Sequence, residues 1–231
     1  MKVSLNLANS LPRLAAFDLD GTLLDSASSI VAGVLACWEA CGFPLPKPEE
    51  IRRIIGLPWE QSVRLLLPGA GEVEFAQIRA YHETVARGER TRSSREQALF
   101  PGTIAMLNAV AEAGILLAII TSRSSNRLLE LLEGEKIASQ FVCLKTTDNG
   151  PGKPNPDLML QALDETGVNK NGAVMIGDTT FDITMACKAG TASIGVAWGV
   201  HHVKDLQNAG AHHIAQTMDE LLPAIDRLTG G

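Results

Sequence analysis

Apolar and polar positions along the chain follow two different patterns. Short apolar runs occur at 14–19 (LAAFDL), 115–120 (ILLAII), 141–144 (FVCL), 172–178 (GAVMIGD) and 191–198 (TASIGVAW). Each is too short for a helix and is bounded by polar residues or glycine, so each predicts a strand. Between them lie stretches with helical spacing: PGTIAMLNAVAEAG, the segment through Leu132, PNPDLMLQALDETG, DITMACKAG and MDELLPAIDRL. Strands alternating with helices predict an α/β fold, a mostly parallel sheet with helices on both faces.

The segment from Ser26 to about Gln97 breaks this alternation, because it carries helical spacing and no strand signal. Ile30, Val31, Val34, Leu35 and Trp38 fall on one helical stripe,. Asp25, Ser26 or Ser28 could cap its start. Three prolines in GFPLPKPEE end it, and EEIRRIIG, WEQSVRLLLPG and EVEFAQIRAYHETVARGER read as further helices,. The reading is a core built from residues 1–25 and 98–231, with an inserted α-helical domain at 26–97.

In open α/β sheets ligands bind beyond the carboxyl ends of the strands. Polar residues collect at those ends: Asp18 and Asp20 after the first run, Thr121 and Ser122 after the second, Asp178 and Asp182 after VMIG. Lys153, in GKPNPD, stands on a loop just before a helix. Asp18 and Asp20 either share one face of a strand or straddle its end. Either way two close carboxylates repel unless a cation or a catalytic task offsets the charge.

Charge and composition narrow the chemistry. The chain has 231 residues, 45% hydrophobic and 20% charged, with a formal net charge of -6, and the pI is ≈ 5.4. An acidic balance disfavours nucleic acid as a partner, and the basic stretch Arg87 to Arg95 reads as a solvated helix end or linker. Cys37, Cys41, Cys143 and Cys187 form no C-x-x-C pair, so they predict neither a disulfide framework nor a zinc site, and Cys37 and Cys41 read as packing residues. No apolar run approaches membrane-spanning length, and the N-terminus lacks the apolar stretch of a secretory leader. A cytoplasmic protein, monomer or homodimer, without membrane or nucleic-acid partners, is the expectation.

If the four polar clusters converge, they bring together carboxylates, one lysine and hydroxyl donors. Oxygen ligands alone suit Mg²⁺, with Asp18 and Asp178 as natural ligands and a carbonyl near Asp20 to complete the set. The same groups suit a phosphoryl group, whose transfer depends on positioning and electrostatic stabilisation. An aspartate can be the nucleophile, and a second carboxylic acid can protonate the leaving oxygen. The expected division of labour keeps one aspartate ionised on the metal and leaves the other free to carry a proton.

In that order, DLDGTLLD, IITS, GKPNPD and GDTTFD resemble the motifs of the haloacid dehalogenase-like superfamily, and most closely its phosphoglycolate phosphatase-like branch. The likeness spans nearly the whole chain and extends to AGTASIGVAWGVH and LQNAGAHHIAQTMDELLPAI. It implies a Rossmann-like core with a helical cap inserted between the first two motifs. It also implies a phosphatase that uses Mg²⁺ and an aspartyl-phosphate, acting on a small phosphorylated metabolite. Carried over by motif, Asp18 would be the nucleophile and a metal ligand. Asp20 would be the general acid/base and lend its carbonyl to the metal. Thr121 and the Ser122 backbone N–H would hold the phosphoryl group. Lys153 would neutralise charge, Asp178 would bind the metal, and Asp182 would hold metal-bound water or orient Lys153. Many relatives have asparagine at Ser122 and lysine at Arg123.

Gly56, Leu57 and Pro58 match a cap loop of that branch which faces the active site on closure; they also suit a plain break between helices. Trp59 reads as cap packing, Arg52 and Arg53 as a solvated face, and His201–His202 and His212–His213 as surface loops. A beta-phosphoglucomutase-like phosphomutase and a pyrophosphatase are the alternative activities. A dehalogenase needs no second aspartate in the first motif. Phosphonoacetaldehyde hydrolysis needs a cap lysine, and Lys47, the one lysine there, sits among prolines. A non-catalytic module would fit a chain that had lost Asp18, Asp20 or Lys153.

Overall fold

The computed structural model describes residues 11–88 and 98–230. The chain begins with β1 (Leu14–Phe17) and β2 (Leu24–Asp25), then four helices, α1 (Ala27–Cys41), α2 (Pro48–Arg52), α3 (Trp59–Leu66) and α4 (Glu72–Gly88). After β3 (Ala98–Leu99) come α5 (Thr103–Glu112), β4 (Leu116–Ile120), α6 (Ser125–Gly134), β5 (Phe141–Lys145) and α7 (Asp157–Thr166). The chain ends with β6 (Ala173–Gly177), α8 (Thr180–Ala189), β7 (Ala192–Val196), α9 (Val203–Asn208), β8 (His213–Ala215) and α10 (Leu221–Thr229).

Six of the strands form one parallel sheet in the order β5-β4-β1-β6-β7-β8. The two-residue alternation of a strand sends side chains to opposite faces, and both faces are apolar here. Ala15, Phe17, Leu117, Ile119, Val174, Ile176, Ile194 and Val196 pack on one side with residues of α5, α6 and α10. Leu14, Ala16, Ala118, Ile120, Ala173 and Met175 pack on the other with α7 and α8. The α/β Rossmann-like reading therefore holds.

Register fixes what the strand ends can do. Phe17 lies opposite both Ile119 and Ile176. Chain order reverses across β1, with β4 and β5 on one side and β6, β7 and β8 on the other. Residues following β1, β4 and β6 therefore leave the sheet along one edge, at the place where such sheets open a crevice. The ladder carries on briefly, as the Asp18 N–H donates to the Ile176 carbonyl at 2.8 Å.

Helices α1 to α4 enclose a small core of their own. Cys37, Trp38, Val63 and Ile78 are buried there, with Trp59, Phe75 and Tyr81 packed against them. Trp59 meets Phe75 edge-to-face at 5.6 Å and Arg79 covers its ring at 5.6 Å, which is the packing role expected of it. The chain leaves and rejoins the sheet domain through the antiparallel pair of β2 and β3, with Leu24 opposite Leu99 and Asp25 opposite Ala98. The basic stretch beyond the end of α4 lies outside the described residues.

The structure differs from the sequence reading at the C-terminal end. Helix α9 and strand β8 were not expected. The pair His212–His213, expected in a surface loop, is corrected: His213 lies in β8, and His212 Nδ1 accepts from the Ser193 N–H at 3.2 Å. A three-residue edge strand starting on histidine has too little apolar alternation to be read from sequence. All four cysteines are free thiols. Among the described residues no helix is long and apolar enough to cross a membrane.

Phe17 is fully buried at the centre of this arrangement. Phe17→Ala is expected to destabilise the protein by about 3–5 kcal/mol, read as a lower midpoint in urea unfolding.

Candidate active site

Four side chains from separate elements meet at the carboxyl edge of the sheet. Asp18 follows β1, Lys153 precedes α7, Asp178 follows β6, and Asp182 lies in the first turn of α8. All four are buried, with exposures of 2%, 0%, 0% and 0%. Lys153 Nζ makes a short hydrogen bond to Asp18 Oδ1 and lies 2.6 Å from Asp182 Oδ1. Asp182 is held in place by a capping box: the Thr179 hydroxyl donates to Asp182 Oδ2 at 2.6 Å and accepts from the Asp182 N–H at 3.4 Å,. Asp182 therefore caps the start of α8, and the same carboxylate also faces Lys153.

Asp178 is clamped from two sides. Its Oδ1 accepts from the Thr22 hydroxyl at 3.1 Å and its Oδ2 from the Val200 N–H at 2.8 Å. Gly21 turns the chain with φ +86°, and a Cβ there would lie 2.2 Å from Asp178 Oδ2. A Cβ on Gly199 would lie 2.0 Å from the Asp178 Cβ. Both positions require glycine, because the backbone passes too close to the carboxylate for any side chain.

These carboxylates suit a hard cation. Oxygens of Asp18, Asp178 and Asp182 lie within 4.8 Å of one another. Asp18 Oδ2 is buried with no hydrogen-bond partner among the described residues, and one ammonium faces three carboxylates. An all-oxygen donor set with excess negative charge fits Mg²⁺ chemistry. The same imbalance shifts proton affinities. Burial, with Asp182 adding to it, pushes Asp18 up to about 7 despite the opposing charge of Lys153. Burial and the neighbouring Asp18 and Asp182 charges push Asp178 well above its usual range. Lys153 shifts upward against its own burial, because Asp18 and Asp182 stabilise its charge.

Asp20 stands apart. Arg123 grips its carboxylate with both edge nitrogens, Nε to Oδ2 at 2.7 Å and Nη2 to Oδ1 at 2.6 Å. The Ser26 hydroxyl donates to Oδ1 at 2.5 Å. Ser26 sits at the N-cap position of α1 but makes no side-chain cap bond there, since its hydroxyl is turned to Asp20. Burial alone would raise Asp20, yet the Arg123 hydrogen bonds and charge, with Ser26, hold it below the usual range. The two aspartates are thus shifted in opposite directions, Asp18 up and Asp20 down. The cause is local: Asp18 is desolvated and lies beside Asp182, which together outweigh Lys153, while Asp20 faces a guanidinium.

Residues 56–58 meet this edge from the helical side. The Ser122 hydroxyl donates to the Gly56 carbonyl at 2.5 Å. A Cβ on Gly56 would come 3.2 Å from Thr179, and one on Gly152 would come 2.7 Å from Pro58. Leu57 is half-buried beside them. Thr121 is buried and its Oγ1 accepts from the Arg123 N–H at 3.3 Å. His201 is corrected from surface loop to site border: its Nδ1 accepts from the Thr180 N–H at 3.0 Å, and its Nε2 lies 3.3 Å from the Arg53 carbonyl. Arg52 and Arg53 are exposed. Sequence reasoning did not assign Thr22, Ser26, Arg123, Thr179, Val200 or His201 to the site.

Known proteins resemble this chain over most of its length. Residues 15–196 match the family described as Haloacid dehalogenase-like hydrolase. The chain is 34% identical over 218 residues to "Probable phosphatase IndB" of Dickeya dadantii, covering 93% of this chain and 94% of that one. It is 28% identical over 222 residues to a phosphoglycolate phosphatase of Vibrio parahaemolyticus, covering 92% and 96%. The crystal structure of "a predicted phosphatase" from Clostridium acetobutylicum superposes with a TM-score of 0.83 at 27% identity, covering 95% of this chain and 100% of that one.

Two measurements probe the cluster. The raised carboxylates bind protons more tightly folded than unfolded, so their contribution to stability is full below about pH 4 and is lost as pH rises towards 7. Mg²⁺ competes with those protons, so it should raise the thermal midpoint more at pH 8 than at pH 5; an equal shift at both would contradict the cluster's role. Gly199→Ala should cost about 1–3 kcal/mol through overpacking and should shrink the Mg²⁺-induced shift by displacing Asp178.

Proposed function

The chain belongs to the haloacid dehalogenase-like hydrolase family and is a phosphatase, and on that premise we propose that it hydrolyses a small phosphorylated metabolite, phosphoglycolate-like, with the help of Mg²⁺. The observation that carries this reading is Asp18: buried, one oxygen fixed by Lys153 and the other without a partner among the described residues. Such a carboxylate is oriented for in-line attack on phosphorus and protected from water.

In this reading an Asp18 oxygen bonds to phosphorus as the bond to the leaving oxygen breaks. Asp20 gives that oxygen its proton. Asp20 then takes a proton from the water that cleaves the aspartyl-phosphate. Thr121, the Ser122 N–H and Lys153 hold the phosphoryl oxygens. Asp18 and Asp178, the Asp20 carbonyl and, through water, Asp182 would hold Mg²⁺. When bound there, the ion supplies positive charge against the anionic phosphoryl group. The helical segment at 26–97 acts as a cap, and its Gly56, Leu57 and Pro58 loop, docked on Ser122 and Gly152, excludes water and selects the substrate.

Purified protein with Mg²⁺ should release phosphate from simple phosphomonoesters, and EDTA should stop it. Ranked by kcat/KM over a metabolite panel, small phosphorylated hydroxy acids should lead. Turnover that needs a sugar bisphosphate and frees little phosphate would sink the hydrolase assignment. Asp18→Asn should cut turnover by more than about 10³-fold without lowering the thermal midpoint of the metal-free protein, since it removes one of three crowded buried charges.

A further inference from the structure

Asp20 has no place in the parallel sheet, because β1 ends at Phe17 and Asp20 makes only an isolated bridge to Leu24. Its carboxylate direction is therefore set by side chains. Arg123 supplies two hydrogen bonds at 2.7 and 2.6 Å and Ser26 one at 2.5 Å. The three-carboxylate cluster of Asp18, Asp178 and Asp182 does not include it.

We propose that Arg123 is the positioning residue for Asp20, holding its carboxylate away from that cluster and turned for proton transfer at the leaving oxygen. This rests on the phosphatase reading above, in which Asp20 carries the proton. A planar fork fixes both the position and the plane of a carboxylate, which a lysine ammonium does not. Arg123 is itself tied to the loop that receives the phosphoryl group. Its N–H donates to Thr121 Oγ1 at 3.3 Å, and its carbonyl accepts from the Thr147 N–H at 3.4 Å and the Thr147 hydroxyl at 3.4 Å. The pair is shielded, with side-chain exposures of 18% for Arg123 and 14% for Asp20, so water competes weakly for it. The proton carrier and the phosphoryl-binding loop thus move as one unit.

The test compares wild type with Arg123→Gln, Arg123→Lys, Asp20→Asn and the double variant Asp20→Asn/Arg123→Gln, using an alkyl and an aryl phosphomonoester with Mg²⁺. Arg123→Gln should lower kcat for the alkyl ester by about 10- to 100-fold, within the range of acid–base catalysis, with KM changed less than about twofold. The aryl ester should lose less, because a phenolate leaves with little help from an acid. Arg123→Lys should recover only part of the loss. The double variant should be no slower than Asp20→Asn alone, since a residue acting through Asp20 has nothing to act on once it is gone. A raised KM with kcat intact would make Arg123 a substrate contact and overturn the proposal. So would additive losses, or full rescue by lysine. Thermal unfolding of the four metal-free variants gives a readout independent of turnover, where non-additive midpoints are expected and additive ones would overturn the pairing. A wild type that releases phosphate from neither ester would instead overturn the phosphatase reading, and the unfolding cycle would still judge the pair.

Discussion

One buried ammonium faces three buried carboxylates, and the surrounding structure is organised to tolerate that imbalance. Removing charges from water costs several kcal/mol per ion even after relaxation. Lys153 offsets part of this for Asp18 and Asp182. Asp182 gains further support from the Thr179 capping box and the N-terminal end of α8,. Asp178 has one hydroxyl and one backbone N–H. Asp18 Oδ2 has nothing among the described residues. The fold supplies the rigidity that keeps these groups together, through a sheet packed on both faces with apolar side chains. Stability is given up locally at a site whose surplus negative charge calls for bound protons or a cation.

Convergence comes from register. Phe17, Ile119 and Ile176 stand side by side, so the chain delivers Asp18, Thr121 and Asp178 to one edge although more than half the sequence lies between the first and the last. The helical segment reaches the same edge from above. Its loop carbonyl at Gly56 accepts from Ser122, while Arg53 meets His201. The backbone must run close at Gly21, Gly152 and Gly199 for this to happen. A side chain at any of them would push apart groups that the site needs in contact.

The sheet strands were legible because both-face burial makes short, unbroken apolar runs, and the helices between them because of their spacing. Strand β8 and helix α9 were not, since a three-residue edge strand and a six-residue polar helix carry little periodic signal. Asp18, Lys153 and Asp178 were legible as polar residues at strand or loop ends. Arg123 was not, because its partner is Asp20, 103 residues away, and nothing local marks the pair. His201 was read as surface because it is far from the motifs in sequence. Its ring nonetheless spans the gap between the Thr180 backbone and Arg53. What escapes the sequence is contact between long side chains from different elements, which periodicity does not encode.

The two aspartates of DLD show the same limit in their chemistry. Their spacing is equally compatible with either one carrying the proton, and the environment decides. Asp18 is raised by burial and by Asp182, against Lys153. A cation among these carboxylates acts in the opposite direction and favours the ionised nucleophile. Asp20 has the opposite dependence. Burial pushes it up, and only Arg123 and Ser26, with the more distant Lys153, hold it down. Negative charge placed beside Asp18 acts against that hold and raises the proton affinity of Asp20. The fork that orients the carboxylate therefore also sets the proton affinity from which Asp20 must be raised to act as an acid.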